Sequence, residues 1–529
     1  MKKFILAGIA GILLSLPIWS ATAQERLLRV NDAPIGELDP HKGTDYADSI
    51  LMFNVYDFLV RAAAGGRIVP DLAESWTLSD DGLTYTFALR GDAVFHDGTS
   101  VEAEDVVWSA NRLATMNRGF SHLLANFAVT SPDQRTVVFK LDEPSAPFLA
   151  ALTRLAVVNT DLVMANLQDG DFGDFGDYGD QWLSSNAAGS GSYTVASHSP
   201  QDLSVLHINE SHYGGFAPSP PDVVRLVYAL EPATLRAMML RGQHDVTRMS
   251  LPVEILQALD RDENISLARD LGLGVFFIKL NMQRPPTDDV HFRRAIALAF
   301  DYESALQLLQ VTDEMQSGAA TNGPVPRGLM GFDETMQAAG RNLDAAKAEL
   351  AQSKYGPDEY TVEIQWVAEV PTYGDMALIF QQSMAEIGIN VEVTRSPWAL
   401  LLEKASKAET TPHANTVSVS ANTPDPDSLL SAMYHSSNAG SWTSMDWMLD
   451  DEIDDLIEQG RTILDQDKRA IFYRDLVRKI TAMQPAIFAY QNQVVVAKRN
   501  HVGAPTLEDP EKAIGSMGMN YLFRNFSIN

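Results

Sequence analysis

The chain contains no cysteine among its 529 residues. Disulfides, free-thiol chemistry and Cys-held metals are therefore excluded. So is the lipid anchor that bacterial lipoproteins carry on a cysteine just after the leader. Cations are scarce: 40 Lys and Arg stand against 69 Asp and Glu, for a net charge of −29. A surface of that sign repels nucleic acid and anionic lipid and favours solubility. Recurrent catalytic motifs are missing as well. There is no Gly-x-Ser-x-Gly, no His-Glu-x-x-His, no P-loop and no Rossmann glycine run. The 11 histidines are scattered, and acidic runs such as Asp450-Asp451-Glu452 are expected on solvated helix faces. An enzyme is not expected, nor a cofactor. Apolar runs are short. The stretch from Phe4 to Trp19 is broken by Pro17 and falls short of the ~20 residues of a spanning helix. With Lys2 and Lys3 before it and Ala21-Thr22-Ala23 after it, residues 1–23 read as a secretory signal cleaved before Gln24. The expectation is a soluble periplasmic protein without a lipid anchor.

What is present begins with Val69 to Trp108. Ser79-Asp80-Asp81-Gly82 is a tight-turn sequence. Leu83, Tyr85, Phe87 and Leu89 then alternate with Thr84, Thr86, Ala88 and Arg90, the period of a half-buried strand. Asp97-Gly98 makes a second turn. Thr99 and Glu102 have capping-box spacing, and the following helix is expected to bury Val106, Val107, Ala110 and Leu113. Before this stretch come a strand at Arg26–Asn31, a turn at Leu38-Asp39-Pro40-His41 and a helix from Asp45 with Ala47, Ile50, Leu51 and Val55 on one face. His41 has no second His at ligand spacing and reads as a turn residue rather than a metal ligand. After it, Ser131-Pro132-Asp133 predicts a turn and Thr136–Leu141 a strand. The repeat DGDFGDFGDYGD, Asp169 to Asp180, spaces oxygen ligands as calcium wants them. It matches neither the EF-hand order nor the Gly-Gly-x-Gly-x-Asp repeat, so a solvated acidic loop is expected. Gly189, Gly191, Gly214 and Gly215 read as turn glycines.

The second half carries the fold signal. Thr287 is expected to cap a helix of Val290, Ala295, Ile296 and Ala299, and Asn342 one of Leu343, Ala346 and Leu350. Tyr360, Val362, Ile364 and Trp366 alternate as a strand. Asp375 to Ile387 reads as a helix stopped by Gly388. Ile389, Val391 and Val393 form a second strand, Pro397 to Lys407 a second helix, and Thr416 to Ser420 a third strand. β-α-β-α-β in one sheet means parallel strands joined by crossovers. In such sheets ligands sit outside the carboxyl ends of the strands, and Trp366 and Asn422 lie at two such ends. Asp425-Pro426 reads as a helix cap followed by Pro at the first helical position. Asp450–Gln459 and Lys468–Met483 read as exposed, charged helices, and Val494–Lys498 as a strand.

The wording of these segments resembles the family 5 extracellular solute-binding proteins, the dipeptide, oligopeptide and nickel receptors of ABC importers. PDLAESW, LTYTFALR, FHDG and AEDVVW follow one another between Pro70 and Trp108. LDPH at Leu38, NVYDFLV at Asn54, SGSYTV at Ser190 and LNMQRPPTDDVHFRRAIALAFD at Leu280 extend the likeness over nearly the whole chain. The resemblance implies an α/β, two-lobed periplasmic-binding-protein fold of type II with an extra domain inserted in the first lobe. It places 24–66, 186–273 and 503–529 in lobe 1, 67–185 in the inserted domain and 274–502 in lobe 2. It implies a monomeric receptor that captures a peptide-like solute and delivers it to ABC permease subunits in the inner membrane. An oligosaccharide or another neutral polar solute is the alternative cargo. A nickel or metal chelate is a weaker one, given no Cys and no clustered His.

Tyr46, Trp366, Trp398, Trp442 and Tyr490 are the aromatics expected to face cargo, since flat rings offer a large contact area. Asp48 is a candidate polar contact on the first lobe. In the peptide-binding relatives, a carboxylate at a strand end, shortly before an acidic-Pro pair, receives the cargo's α-ammonium. The matching segment here is Ser420-Ala421-Asn422-Thr423-Pro424-Asp425-Pro426, and Asn422 takes that carboxylate's place. A shift of three residues would bring Asp425 into the role instead.

Overall fold

The computed structural model describes residues 25–529, apart from positions 125, 250, 271, 510, 515 and 516. The expected signal and its cleavage point before Gln24 lie outside the described residues.

The first lobe is built on a four-stranded sheet in the order Leu27–Asp32, Val223–Tyr228, Leu203–Ile208, Tyr193–Ser199. The first two strands are parallel and the others antiparallel. The first helix, Tyr46–Val55, packs on this sheet. Its Asp45 cap accepts the Asp48 N–H at 2.8 Å. The sequence pattern put one face of this helix inside. In fact Ala47 and every residue from Ser49 to Val55 are buried, because the C-terminal segment covers its other side. Asn54 donates to the Tyr521 carbonyl and accepts the Phe523 N–H, both at 2.8 Å. Gly189 and Gly191 are not turn residues. A Cβ on Gly191 would lie 2.5 Å from the Asn54 carbonyl oxygen, and one on Gly189 1.9 Å from that of Val55. Their lack of a side chain lets the chain cross the helix end. Gly215 is a turn glycine, at φ +65°.

The inserted domain has its own antiparallel sheet, in the order Ala73–Leu78, Thr84–Leu89, Thr136–Leu141, Phe127–Asp133. Tyr85, Phe87 and Leu89 point into its core with Val106, Phe139 and Phe148, as the alternation requires. The capping box of the helix Ala103–Met116 sits three residues later than expected. Glu102 is the cap, and its N–H donates to the Asp105 carboxylate at 2.9 Å. Thr99 instead bonds Asp97 at 2.6 Å within the preceding turn. The strand starting at Phe127 runs through Ser131-Pro132-Asp133, and the turn falls on Gln134 and Arg135. His41 and Asp39 tie this domain to the first lobe. The buried Arg112 guanidinium meets Asp39 at 2.6 and 2.8 Å and His41 Nδ1 at 3.0 Å. Burial and Arg112 together lower the His41 pKa to about 4. The acidic repeat is a folded loop. Asp177 accepts the N–H groups of Gln168, Gly179 and Gln181, Phe175 stacks on Tyr178 at 4.7 Å, and Asp180 pairs with Lys42. Among the described residues no group of His, Asp and Glu is placed to hold a metal.

The second lobe is a six-stranded sheet in the order Gly318–Ala319, Ala486–Asn492, Gly274–Leu280, Ala414–Ser420, Thr361–Val367, Asn390–Ser396. The β-α-β-α-β strands are parallel, as expected. Gly274–Leu280 is buried on both faces. Phe276 and Ile278 enter one core, while Val275 and Phe277 enter another. That explains its unbroken apolar run. Asn342 caps Leu343–Leu350 as expected. Thr287 does not cap the helix Val290–Ala299; Asp289 does, and the Thr287 hydroxyl donates to the Asn281 carbonyl at 2.6 Å. The helices Asp451–Thr462 and Gln466–Met483 are not wholly exposed. Ile453, Ile457, Tyr473, Leu476 and Ile480 anchor them in the second core.

The chain returns to the first lobe between Asn492 and Val494, ahead of residue 502. Val494–Arg499 pairs with Ile265–Asp270 and, through Val246, joins the first sheet. The outgoing and returning crossings lie side by side. A Cβ on Gly272 would sit 2.8 Å from the Asn492 carbonyl oxygen, and Gln491 donates to the Gly272 carbonyl at 3.1 Å.

Candidate functional site: the interlobe cleft

Four separate pieces of chain meet at one cation. Arg154 ends the apolar segment that starts at Phe148 in the inserted domain. Its guanidinium donates to the Ser49 hydroxyl of the first helix at 3.1 Å and to the Met517 carbonyl of the C-terminal segment at 3.2 Å. Its Nε donates across the cleft to the Asn422 carbonyl at 2.7 Å. The rings of Phe120 and Phe53 lie 4.6 and 5.1 Å from it. Burial lowers its pKa to about 9.

Asn422 follows the carboxyl end of Ala414–Ser420. The Ala421 N–H beside it donates to the Leu273 carbonyl at 3.0 Å, which fixes where the loop leaves the sheet. The Asn422 carboxamide is half-buried and makes no hydrogen bond among the described residues. Asp425 is fully engaged with protein. Its two oxygens meet Arg469 side by side, one at 2.9 Å, and it accepts the Asp427 N–H at 2.9 Å. Asp425 and Arg469 are both buried.

On the first-lobe wall, Tyr46 is half-buried with its ring edge-on to Tyr521 at 6.1 Å. Asp48 is half-buried behind Gly43, where a Cβ would come within 2.6 Å of the Asp48 side chain. Burial, then the neighbouring Asp45, push the Asp48 pKa up to about 7. Asp32 ends the first strand. Burial chiefly raises its pKa to about 7, with Asp45 adding to the shift and Arg248 opposing it.

On the second lobe, Trp398 and Trp442 meet edge to face at 5.6 Å and pack on the core that holds Ala421. Trp366 belongs to the other core. It covers Gly374 and lies 5.5 Å from the Arg395 guanidinium. Tyr490 is drawn inside: it is 4% exposed and stacked on Phe276 at 4.9 Å. The structure thus brings Asn422 to the first helix through Arg154 and pairs Trp398 with Trp442, while Trp366 and Tyr490 pack on the opposite side of the sheet. Arg154, Ser49, Asp32 and Arg469 were not singled out in the sequence. Arg154 had a signal, being the lone charge in the run from Ala146 to Val158, where a charge needs a partner.

A family model described as bacterial extracellular solute-binding proteins, family 5 middle, matches residues 67–441. The probable D,D-dipeptide-binding periplasmic protein DdpA of Escherichia coli K12 is 26% identical over 500 residues, covering 92% of this chain and 93% of that protein. Di/tripeptide-binding protein 3 of Pseudomonas aeruginosa UCBPP-PA14 is 27% identical over 502 residues, covering 88% and 89%. The solved structure of DppA from Helicobacter pylori, in complex with the peptide STSA, superposes with a TM-score of 0.76 at 21% identity, over 95% of this chain and 98% of that one. The two-lobed fold is shared.

Proposed function

Because the chain belongs to family 5 of the bacterial extracellular solute-binding proteins, we propose that it is a monomeric periplasmic receptor that closes on a peptide-like solute and hands it to an inner-membrane ABC permease. The observation that carries this reading is the meeting of the Asn422 loop with the first helix at Arg154. Walls that touch in one state are what a cleft able to close would present. Cargo contacting both walls favours the closed state by its differential affinity.

The same loop supports a narrower reading of the cargo. Asn422 offers a neutral carboxamide where a carboxylate would receive an α-ammonium. Asp425 cannot substitute, since Arg469 already neutralises it. A hydrogen bond to a charged group is worth ~1.5–3 kcal/mol, and a buried unpaired charge costs several more. An ammonium left at Asn422 would therefore lower affinity by roughly a hundredfold or more. The favoured cargo has no obligatory free amino terminus: a blocked or modified peptide. The second reading is an oligosaccharide or other neutral polar solute, which the exposed edges of the Trp398–Trp442 pair would suit.

Native mass spectrometry of protein purified without refolding should reveal the co-purified solute and separate peptide, sugar and metal chelate. Calorimetry then compares a free peptide with its N-acetylated twin, on the wild type and on Asn422→Asp. The expected result is that only Asn422→Asp prefers the free amine. A strong preference for the free amine in the wild type would overturn the cargo reading.

A further inference from the structure

We infer that Arg154 is a closure latch: a buried guanidinium, pre-oriented by the first lobe, that holds the closed cleft by donating to the Asn422 carbonyl. The inference rests on the reading of the protein as a two-lobed receptor that closes. The contacts to Ser49 Oγ and the Met517 carbonyl lie on the same side of the cleft as Arg154 itself. They would persist with the lobes apart, so the side chain is already aimed before the second lobe arrives. The rings of Phe53 and Phe120 hold the guanidinium plane in place. The bond from Nε to Asn422 at 2.7 Å is different, because it joins the inserted domain to the second lobe. Since the donor is already ordered, closing freezes little new side-chain motion, and more of the bond energy appears as bias toward closure. The acceptor matters equally. Asn422 turns its main-chain oxygen to the latch while its carboxamide remains for cargo. Cargo seated on the carboxamide steadies the acceptor, and the latch steadies the carboxamide, so each favours the other.

The absence of cysteine makes a direct test available. A Cβ on Gly66 would lie 3.8 Å from the Pro424 Cβ, within the ~3.5–4.5 Å of a disulfide; Gly66 sits at φ +72°, so the substitution costs about 1–2 kcal/mol of backbone strain, common to every variant compared. The Gly66→Cys/Pro424→Cys chain therefore cross-links only while the cleft is closed at this point. The rate of disulfide formation under a mild oxidant, in cargo-free protein, reads the closed fraction even when that fraction is small. Adding Arg154→Met keeps the apolar stem and removes the donors, and is expected to slow cross-linking about tenfold or more. Adding Ser49→Ala loosens the guanidinium without removing the charge, and is expected to slow it about two- to fivefold. This second variant decides the matter if Arg154→Met does not fold. Unchanged rates in the folded variants overturn the latch and leave closure standing. Failure of the parent Cys pair to cross-link at all overturns closure itself, and the latch with it.

Discussion

Asp48 is a carboxyl group held near neutrality by its surroundings. Its pKa of about 7 lies above the ordinary 3.8, so the folded protein binds this proton more tightly than the unfolded chain does. The stability this confers is complete below about pH 4 and is lost as pH rises through about 7. Asp48→Asn should therefore stabilise the fold at pH 8 by on the order of 1 kcal/mol after allowing for solvent screening, seen as a higher melting temperature, and change little below pH 4. Thermal melts across that range check it, and equal melting at pH 8 would show Asp48 ionising freely. Arg469 makes the opposite case. Arg469→Met would strand the buried Asp425 charge and cost about 3–5 kcal/mol in a denaturant titration, with much of the loss recovered by adding Asp425→Asn. These residues also mark what a sequence discloses at this scale. The place of Asn422 just past a strand end was legible, because the strand pattern of Thr416 to Ser420 and an acidic-Pro pair flank it. Arg154 disclosed only that it needs a partner and Arg469 not even that, since their meaning lies in partners found 268 and 44 positions away.

Among elements, period proved a surer guide than caps. The parallel strands Thr361–Val367, Asn390–Ser396 and Ala414–Ser420 and their helices followed from alternation and from Gly388. The caps at Thr99 and Thr287 shifted because a threonine hydroxyl bonds equally well to a neighbouring turn or carbonyl. In both places a carboxylate two or three residues on took the helix N-terminus, where negative charge is favoured. Helix burial was under-read wherever a segment remote in sequence covers the second face, as the C-terminal residues cover Tyr46–Val55. That packing yields a contrast between two glycines. Gly191→Ala forces a methyl against the Asn54 carbonyl and should cost about 1–3 kcal/mol, as overpacking does. Gly215→Ala meets nothing within 4 Å and should cost only the positive-φ strain of about 1–2 kcal/mol. Their denaturation midpoints, measured side by side, separate crowding from backbone strain. A smaller loss for Gly191→Ala would mean the helix end yields.

For the whole molecule, small-angle scattering should show a smaller radius of gyration when the co-purified cargo is restored to stripped protein. An unchanged radius under saturation would count against a closing receptor. The fold class was legible through the family wording, but the sheet orders were not. Leu27–Asp32 pairs with Val223–Tyr228, and no local pattern announces a partner that far along the chain. Nor does composition show that Val494–Arg499 changes sheets two residues after Asn492. That last feature bears on how the lobes can move. With Gly272 pressed against Asn492, the two crossings form a narrow seam. In a receptor that closes, tethers that close together would act as a hinge pin: swinging about the seam is easy, while sliding and twisting pull against it. A swing about such a pin would have a single degree of freedom, with travel growing in proportion to distance from the pin. One distance between the rims would define the state of the entire receptor, and a permease gripping both rims would need to sense only that coordinate.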